Sequence, residues 1–477
     1  MYRKRTAKVL FMIIAIGSSG FIFSACKAKF REGMIISTQV AKKMQNTNYV
    51  TGDSWRYIPK SRIIAIDPGN PEQSSKIISG DFYSARSPEV SYDGKYLLFA
   101  AQQKENDPWQ VWEMNLKNSK IRKVISSDEN CIDPAYLPGG QLVFSKSFAN
   151  DSLKSGHSLF TANLDGTDIK RITYNPDTYF ASGVLNDGRV LTISKQIFPH
   201  QKAALLMVMR PDGTKSELFY QGNNGTSLLS RAYETKDRKI VFIESDRPNQ
   251  QGGDIISINY NRPLHSRENL TSQIQGDFNA VFPLQSGNFL VSYRKSDSDN
   301  YSLYEFDPVK KLLGPALHID AGYNEIEAVE VRVHERPKKL PTEVFKEIKT
   351  GLIVCQDINL LDPQISHTST PPTNTSYIEI MGIDSLLGVI QPEEDGSFYL
   401  KVIANKPFQI RSVNKEGHIT QKCDWIWLRP NERRGCVGCH ENHELVPENR
   451  IPLAVKKSPV NVPTHVDKII EKFIDTE

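Results

Sequence analysis

The chain has 477 residues, 39% of them hydrophobic and 24% charged, with a formal net charge of +4. Arg3, Lys4, Arg5 and Lys8 account for that whole excess, so the remainder is electrically balanced and lacks the basic footprint of a nucleic-acid-binding protein. The length exceeds one ordinary core and predicts two or three domains.

The first element is a leader. A basic start is followed by an apolar run over 9–23, too short to span a bilayer, and then by small residues before Cys26. Residues 1–25 read as a signal peptide. The ending Phe23-Ser24-Ala25-Cys26 resembles a bacterial lipobox, with Phe where Leu is usual. The expectation is a lipidated Cys26 and a protein held on a membrane of the cell envelope, facing the periplasm or the outside. Residues 26–50 read as a linker.

From 51 to 335 the sequence repeats. SPEVSYDGKYLLFAA (87–101), DPAYLPGGQLVFSKS (133–147), ASGVLNDGRVLTISK (181–195), SRAYETKDRKIVFIES (230–245) and NAVFPLQSGNFLVSYRK (279–295) share one pattern. Each is followed by a second pair of short apolar runs. The turn marker falls at Gly94, Gly140, Gly188, Arg238 and Gly287, at intervals of 46 to 50 residues. Alternating apolar runs separated by Gly-containing turns are hairpin signals, four strands per unit. An even period of this length predicts a β-propeller. Residues 61–79 match only the second half of a unit and 324–335 only a first strand. Together they predict a sixth blade shared between the two ends, which closes the ring and removes its sheet edges.

The propeller repeats carry little chemistry. His157, His200 and His265 are isolated and read as surface or turn residues. Cys131 reads as a small buried hydrophobe, and Asp93 and Asp187 as turn formers. The acidic turn at Asp297 and Asp299 lacks the calcium-loop pattern.

A linker at 336–341 leads into a module of alternating strands ending near residue 430, with turns at Asp395-Gly396 and Glu416-Gly417. It reads as a small β-sandwich. The expected fold is therefore all-β: a six-bladed propeller over 51–335, a sandwich over 336–430, and a short irregular segment over 431–477 whose one predicted helix covers 466–474.

That last segment contains RRGCVGCHENH (433–443). Six cysteines and ten histidines in 477 residues would produce Cys-x-x-Cys-His by chance about twice in a thousand such chains. The spacing suits c-type haem. Two thiols separated by two residues add across the two vinyl groups, and the next imidazole falls beneath the iron. Cys436 and Cys439 are thus the candidate attachment residues and His440 the axial ligand. His418, His443, His465, His334 and Met381 are candidates on the other side of the iron, although His443 lies only three residues from His440. Zinc is the alternative. It needs four ligands, no second CxxC exists, and His443, Cys355 and Cys423 would have to contribute. Cys355 and Cys423 could otherwise form a disulfide. Trp425 and Trp427 read either as haem-packing residues or as sandwich core. Arg429, Arg433 and Arg434 read either as partners of the haem propionates or as solvated surface.

The repeats resemble the TolB/PD40 propeller family. The whole order, with GLIVCQDIN (351–359), DGSFYLKVIAN (395–405) and WIWLRPNERRGCVGCHENHELVPENRIPLAV (425–455), resembles the hydrazine synthase alpha-subunit family over roughly residues 55–460. The resemblance implies one covalent haem on Cys436, Cys439 and His440. It does not extend to hydrazine synthesis: a second CxxCH is absent, and no tyrosine follows Cys439, where the family's haem site uses one. The expectation is an envelope-anchored mono-haem protein, redox-active in electron transfer or on an unknown small substrate, with a redox or complex partner and no nucleic acid. If it is an enzyme, it is a haem oxidoreductase distantly related to hydrazine synthase alpha. The competing expectation is a propeller lipoprotein acting as a binding or scaffold module, with a structural CxxCH.

Overall fold

The computed structural model describes residues 30–41, 57–69, 75–148, 156–222, 226–247, 252–360, 375–438 and 449–464. The leader, Cys26 and the 466–474 helix lie outside them. The regular structure of the described residues is all strand except for a 3-10 turn at Leu453–Lys456. No helix among the described residues is long and apolar enough to cross a membrane.

Six antiparallel sheets form first. Ser84–Val90 opens the first complete one, and Tyr96–Gln102, Gln110–Asn115 and Ile121–Ile125 follow it in order. The sheets starting at Cys131–Leu137, Asp177–Val184 and Asp277–Pro283 repeat this meander. In the sheet built on Lys239–Ser245, the leading strand is split into Ser227–Leu228 and Tyr233–Glu234. Each sheet touches the next, and Tyr323–Glu330 touches Ser84–Val90, so the sheets close a ring in the manner of a propeller. The five turn markers all hold left-handed backbone: φ is 67° at Gly94, 80° at Gly140, 91° at Gly188, 95° at Gly287 and 60° at Arg238. The periodic glycine is thus a conformational requirement that only Arg238 meets with a side chain. A second periodic feature sits in the leading strands. Ser87, Asp133 and Ala181 have φ of 50–55°, each at a bulge.

The shared sheet differs from the expected one. Its order is Tyr323–Glu330, Ile35–Ala41, Arg62–Ile66, Lys76–Ile77. The Ile35–Ala41 strand falls in the stretch read as a linker over 26–50. It pairs with both neighbours, Ile36 lying opposite Ala65 on one side and Val329 on the other. The ring is therefore clasped by three strands from one end of the propeller and one from the other. A fully buried Glu325 ties the clasp together, accepting from the Ser37 hydroxyl and the Gln39 amide (2.6 Å) and contacting His318 Nδ1 at 2.8 Å.

The second unit is two four-stranded sheets facing each other across one apolar core. One holds Leu386–Ile390, Tyr377–Met381, Gln409–Val413 and Ile419–Lys422. The other is ordered Arg433–Cys436, Thr350–Cys355, Phe398–Ile403, Val460–Val462. Both outer strands of the latter pair in parallel, and both come from the stretch expected to be an irregular tail. The segment carrying the first cysteine of the motif is thus a strand of the sandwich. A parallel neighbour needs no hairpin, so no local turn announces it.

The connection between the units is docked on the propeller. The Lys338 N–H donates to Asn186 O (3.1 Å) and the Glu343 N–H to Asp212 Oδ2 (2.7 Å). A Cβ at Gly188 would lie 2.1 Å from Lys338 O, so the linker passes where only glycine fits. The sandwich packs on the sheet that begins with Asp177–Val184.

Candidate functional site

Cys436 ends the Arg433–Cys436 strand, whose place is set by main-chain bonds. The Leu352 N–H donates to Glu432 O (2.8 Å), Gln356 N–H to Cys436 O (2.9 Å) and Asp357 N–H to Val437 O (3.1 Å). Glu432 anchors the start of the strand and is buried. Its Oε1 accepts from the Lys215 N–H of the propeller (2.8 Å) and from Arg434 Nη2 (2.7 Å), and its Oε2 from the Arg429 N–H (2.7 Å). One carboxylate therefore fixes the cysteine strand, the incoming chain and the propeller turn together. Just after Cys436, a Cβ at Gly438 would lie 2.3 Å from Leu360 O, which accounts for the glycine inside the motif. Cys439, His440 and His443 lie outside the described residues, as do His465 and Cys26.

Cys436 faces a cleft of about 450 Å³ between the sandwich mouth and the propeller, within the range of small-molecule and cofactor pockets. Ile353, Ile358, Phe398 and Ile410 line one wall. Leu205, Met207 and Leu218 line the other, from strands Ala204–Met209 and Glu217–Gln221. Leu206 and Val208 point into the propeller core, so Leu205 and Met207 face outward into the cleft. Met207 is a soft potential iron ligand that the sequence reading did not single out. The outward apolar pair on a blade surface was the available signal.

The tryptophans divide. Trp427 packs against Ile172, Tyr179, Val190 and Met209, so it belongs to the propeller core cluster and not to that of the sandwich. Trp425 lines the cleft at 6% exposure, and its Nε1–H has no acceptor among the described residues. The arginines divide as well. Arg429 is committed to structure: Nε donates to Asp212 O (2.8 Å), Nη1 to Asn405 Oδ1 (2.6 Å), and the guanidinium stacks over Tyr174. Arg433 and Arg434 do line the cleft.

The other expected ligands lie elsewhere. His418 is exposed in the turn before Ile419–Lys422, about 17 Å of extended chain from Cys423. His334 packs against Tyr92 beside the propeller linker, where burial depresses its pKa. Met381 ends its strand at a bulge and does not line the cleft. Cys355 and Cys423 both reach the cleft but are not bonded to each other, and Cys423 Sγ accepts from the Ile410 N–H at 3.1 Å. Among the described residues, no three His, Cys, Asp or Glu side chains are grouped to hold a metal ion. His157 is not a surface residue: it is buried against Tyr57, Phe180 and Thr178. Cys131 is fully buried, and burial pushes its thiol up to about 12, so it is inert.

At one rim of the cleft stands Asp177, which accepts from Ser194 Oγ (2.7 Å). Burial, reinforced by the nearby Asp424 carboxylate and opposed by the Ser194 bond, raises its pKa to about 7. Asp424 itself pairs with Lys202 across the interface. The cleft thus combines apolar walls, a strand-fixed thiol, an unsatisfied indole N–H, cationic side chains and a carboxyl that changes charge near neutrality.

Comparison with known proteins bears on the fold and its domain order. The family described as the hydrazine synthase alpha subunit middle domain matches residues 354–441. The hydrazine synthase subunit alpha of Kuenenia stuttgartiensis is 23% identical over 83% of this chain, and the chain spans 65% of that relative's length. The solved Kuenenia stuttgartiensis hydrazine synthase has the same fold, with a TM-score of 0.78 at 20% identity, covering 90% of this chain and 71% of that one. A looser likeness is to TolB from Acinetobacter baumannii, with a TM-score of 0.45 at 12% identity over 62% of this chain and 66% of that one. In its matched middle domain, sequence and fold, the chain is similar to the hydrazine synthase alpha subunit.

Proposed function

We propose that the chain is an envelope-anchored, mono-haem c-type protein whose haem lies in the cleft between sandwich and propeller. The observation that carries this reading is the position of Cys436, at the end of a hydrogen-bonded strand and on the wall of a large apolar cleft. Cys436, Cys439 and His440 would hold the haem, the cysteines through thioethers and the histidine through its imidazole. The described residues fit such a group. Two apolar walls suit the faces of a macrocycle, the buried Trp425 Nε1–H has an acceptor to gain, and the exposed Arg433 suits a propionate, Arg434 being paired with Glu432. Bound there, haem supplies one-electron chemistry. The chain's own residues orient it, exclude water on both faces, and place at Asp177 a proton that comes and goes near neutral pH. Lipidated Cys26 would anchor the protein, and a redox or complex partner fits the subunit status of the Kuenenia relative. Hydrazine synthesis is not part of the proposal.

The test is to produce the full chain with a c-type haem maturation system. The expected result is a Soret band and an intact mass raised by one haem, both lost together in Cys436→Ser/Cys439→Ser. Matured protein of unmodified mass without a Soret band would overturn the reading. The second reading is a scaffold module with zinc at the motif; Cys355, Cys423 and Cys436 line one cleft but are not grouped to hold a metal ion, so Cys439 and His440 would have to complete the site. Stoichiometric zinc in that haem-free protein would establish it.

A further inference from the structure

Cys355 and Cys436 are direct register partners on adjacent parallel strands. Residues paired in this way lie about 4.8 Å apart at Cα and project from the same face of the sheet. That separation falls within the roughly 4.4–6.8 Å spanned by disulfides. Both sulfurs also line the cleft. Cys355 is buried at the end of a central strand, whereas Cys436 ends a four-residue edge strand and is only partly buried. Both thiols therefore sit on hydrogen-bonded strand ends, and Cys436 is the more accessible of the two.

We infer that Cys355 and Cys436 form a reversible disulfide, a modification site that withholds Cys436 from haem attachment. In its formation the two S–H groups lose two protons and two electrons to an exchanging disulfide, either glutathione disulfide or an oxidised dithiol oxidoreductase, which becomes two thiols. The S–S bond that results must be reduced before Cys436 can add across a vinyl group, since that addition requires the sulfur's own hydrogen for the second vinyl carbon. The bond can be reversed by thiol–disulfide exchange, since Cys436 is only partly buried and open to an attacking thiolate. The disulfide stands on the strand register alone. Its consequence for loading rests on the haem reading.

The experiment uses the full chain made without haem maturation, as wild type and as Cys439→Ser. Each is equilibrated across glutathione buffers, alkylated, digested and mapped by mass spectrometry. The expected result is a linked peptide joining Cys355 to Cys436 in both, with its linked-to-reduced ratio changing about tenfold for each 30 mV of poise. It is lost in Cys355→Ser, and that variant loads haem over a wider range of poise than wild type. Linkage of Cys436 only to Cys439 or Cys423, or alkylated Cys355 and Cys436 at every poise, would overturn the inference. Matured Cys355→Ser protein lacking covalent haem under reducing poise, where nothing blocks Cys436, would instead sink the haem reading, and the linked peptide in wild type would leave the disulfide standing.

Discussion

The propeller and the sandwich solve the same problem, burying one face of a sheet, by opposite routes. In the propeller almost every ladder joins neighbours in sequence, and its turn residues recur at a fixed interval with φ of 60–95°. In the sandwich the sheet that carries Cys436 is built from strands at 350–355, 398–403, 433–436 and 460–462, two of them joined in parallel. A repeat tolerates local change because each unit depends on its neighbours alone. The sandwich has no such redundancy. Cys436 sits in the non-local unit, which itself depends on the propeller through Glu432, Arg429 and Trp427.

That dependence can be broken at one residue. Glu432→Ala removes the acceptor of two backbone amides and strands the largely buried Arg434 guanidinium. Loss of one partner of a buried pair costs about 3–5 kcal/mol. Thermal unfolding is expected to show this loss, with protease sensitivity appearing at 336–349 while the propeller stays folded. Glu432→Gln keeps an acceptor and loses less. The next effect in size separates the two roles of a turn glycine. Gly188→Ala places a methyl group 2.1 Å from Lys338 O at φ of 91° and is expected to cost about 2–3 kcal/mol. Gly287→Ala, at φ of 95° with nothing within 4 Å, carries only the left-handed penalty of about 1 kcal/mol. The difference between the two melts measures the docking of the linker. Equal losses would show that the linker lifts away freely.

The same contrast explains what could be read from the sequence. The five turn markers and the split repeat led to the ring, because hairpins write their register into adjacent residues. The Ile35–Ala41 strand escaped because seven residues without a repeat partner carry no period. Val460–Val462 escaped because three residues in a proline-rich run satisfy no strand signal. Arg433–Cys436 escaped because its partner lies about eighty residues away and no turn connects them. For the site, Cys436 was legible as chemistry, but its cleft was not, since half the wall is Leu205, Met207 and Leu218 of a blade that looks like any other. Arg429 and Trp427 were misjudged for the same reason: which unit they serve is decided by the docking.

Asp177 sharpens the comparison from the propeller side of the cleft. Its carboxyl has a folded pKa of about 7 against an ordinary value of 3.8. Between those values the folded chain keeps a proton that the unfolded chain has released. Its contribution to stability is therefore fullest at acid pH, declines as pH rises towards 7, and stays lost above it. Wild type is expected to lose about 2 kcal/mol from this group between pH 5 and pH 8. Asp177→Asn should flatten that slope and be the more stable chain at pH 8. Parallel pH profiles for the two chains would show that the carboxyl is solvated and titrates normally.

The smallest effect tests the propeller's own rule. Arg238 is the one turn marker that is not glycine, and it holds φ of 60° on the surface. A side chain in that region costs about 1–2 kcal/mol. Part is recovered where its guanidinium stacks 4.4 Å over the Tyr260 ring, an exposed contact worth about 0.5–1 kcal/mol. Glycine would also give the unfolded chain more freedom, which offsets part of the relief. Arg238→Gly is therefore expected to gain about 0.5 kcal/mol or less in a thermal melt. Arg238→Gly in a chain that also carries Tyr260→Leu should gain more, because no stacking is lost. If the single change instead destabilised by more than about 1 kcal/mol, the stack and not the backbone would govern this turn, and the sheet built on Lys239–Ser245 would hold its register by a side-chain contact that the other turn markers do without.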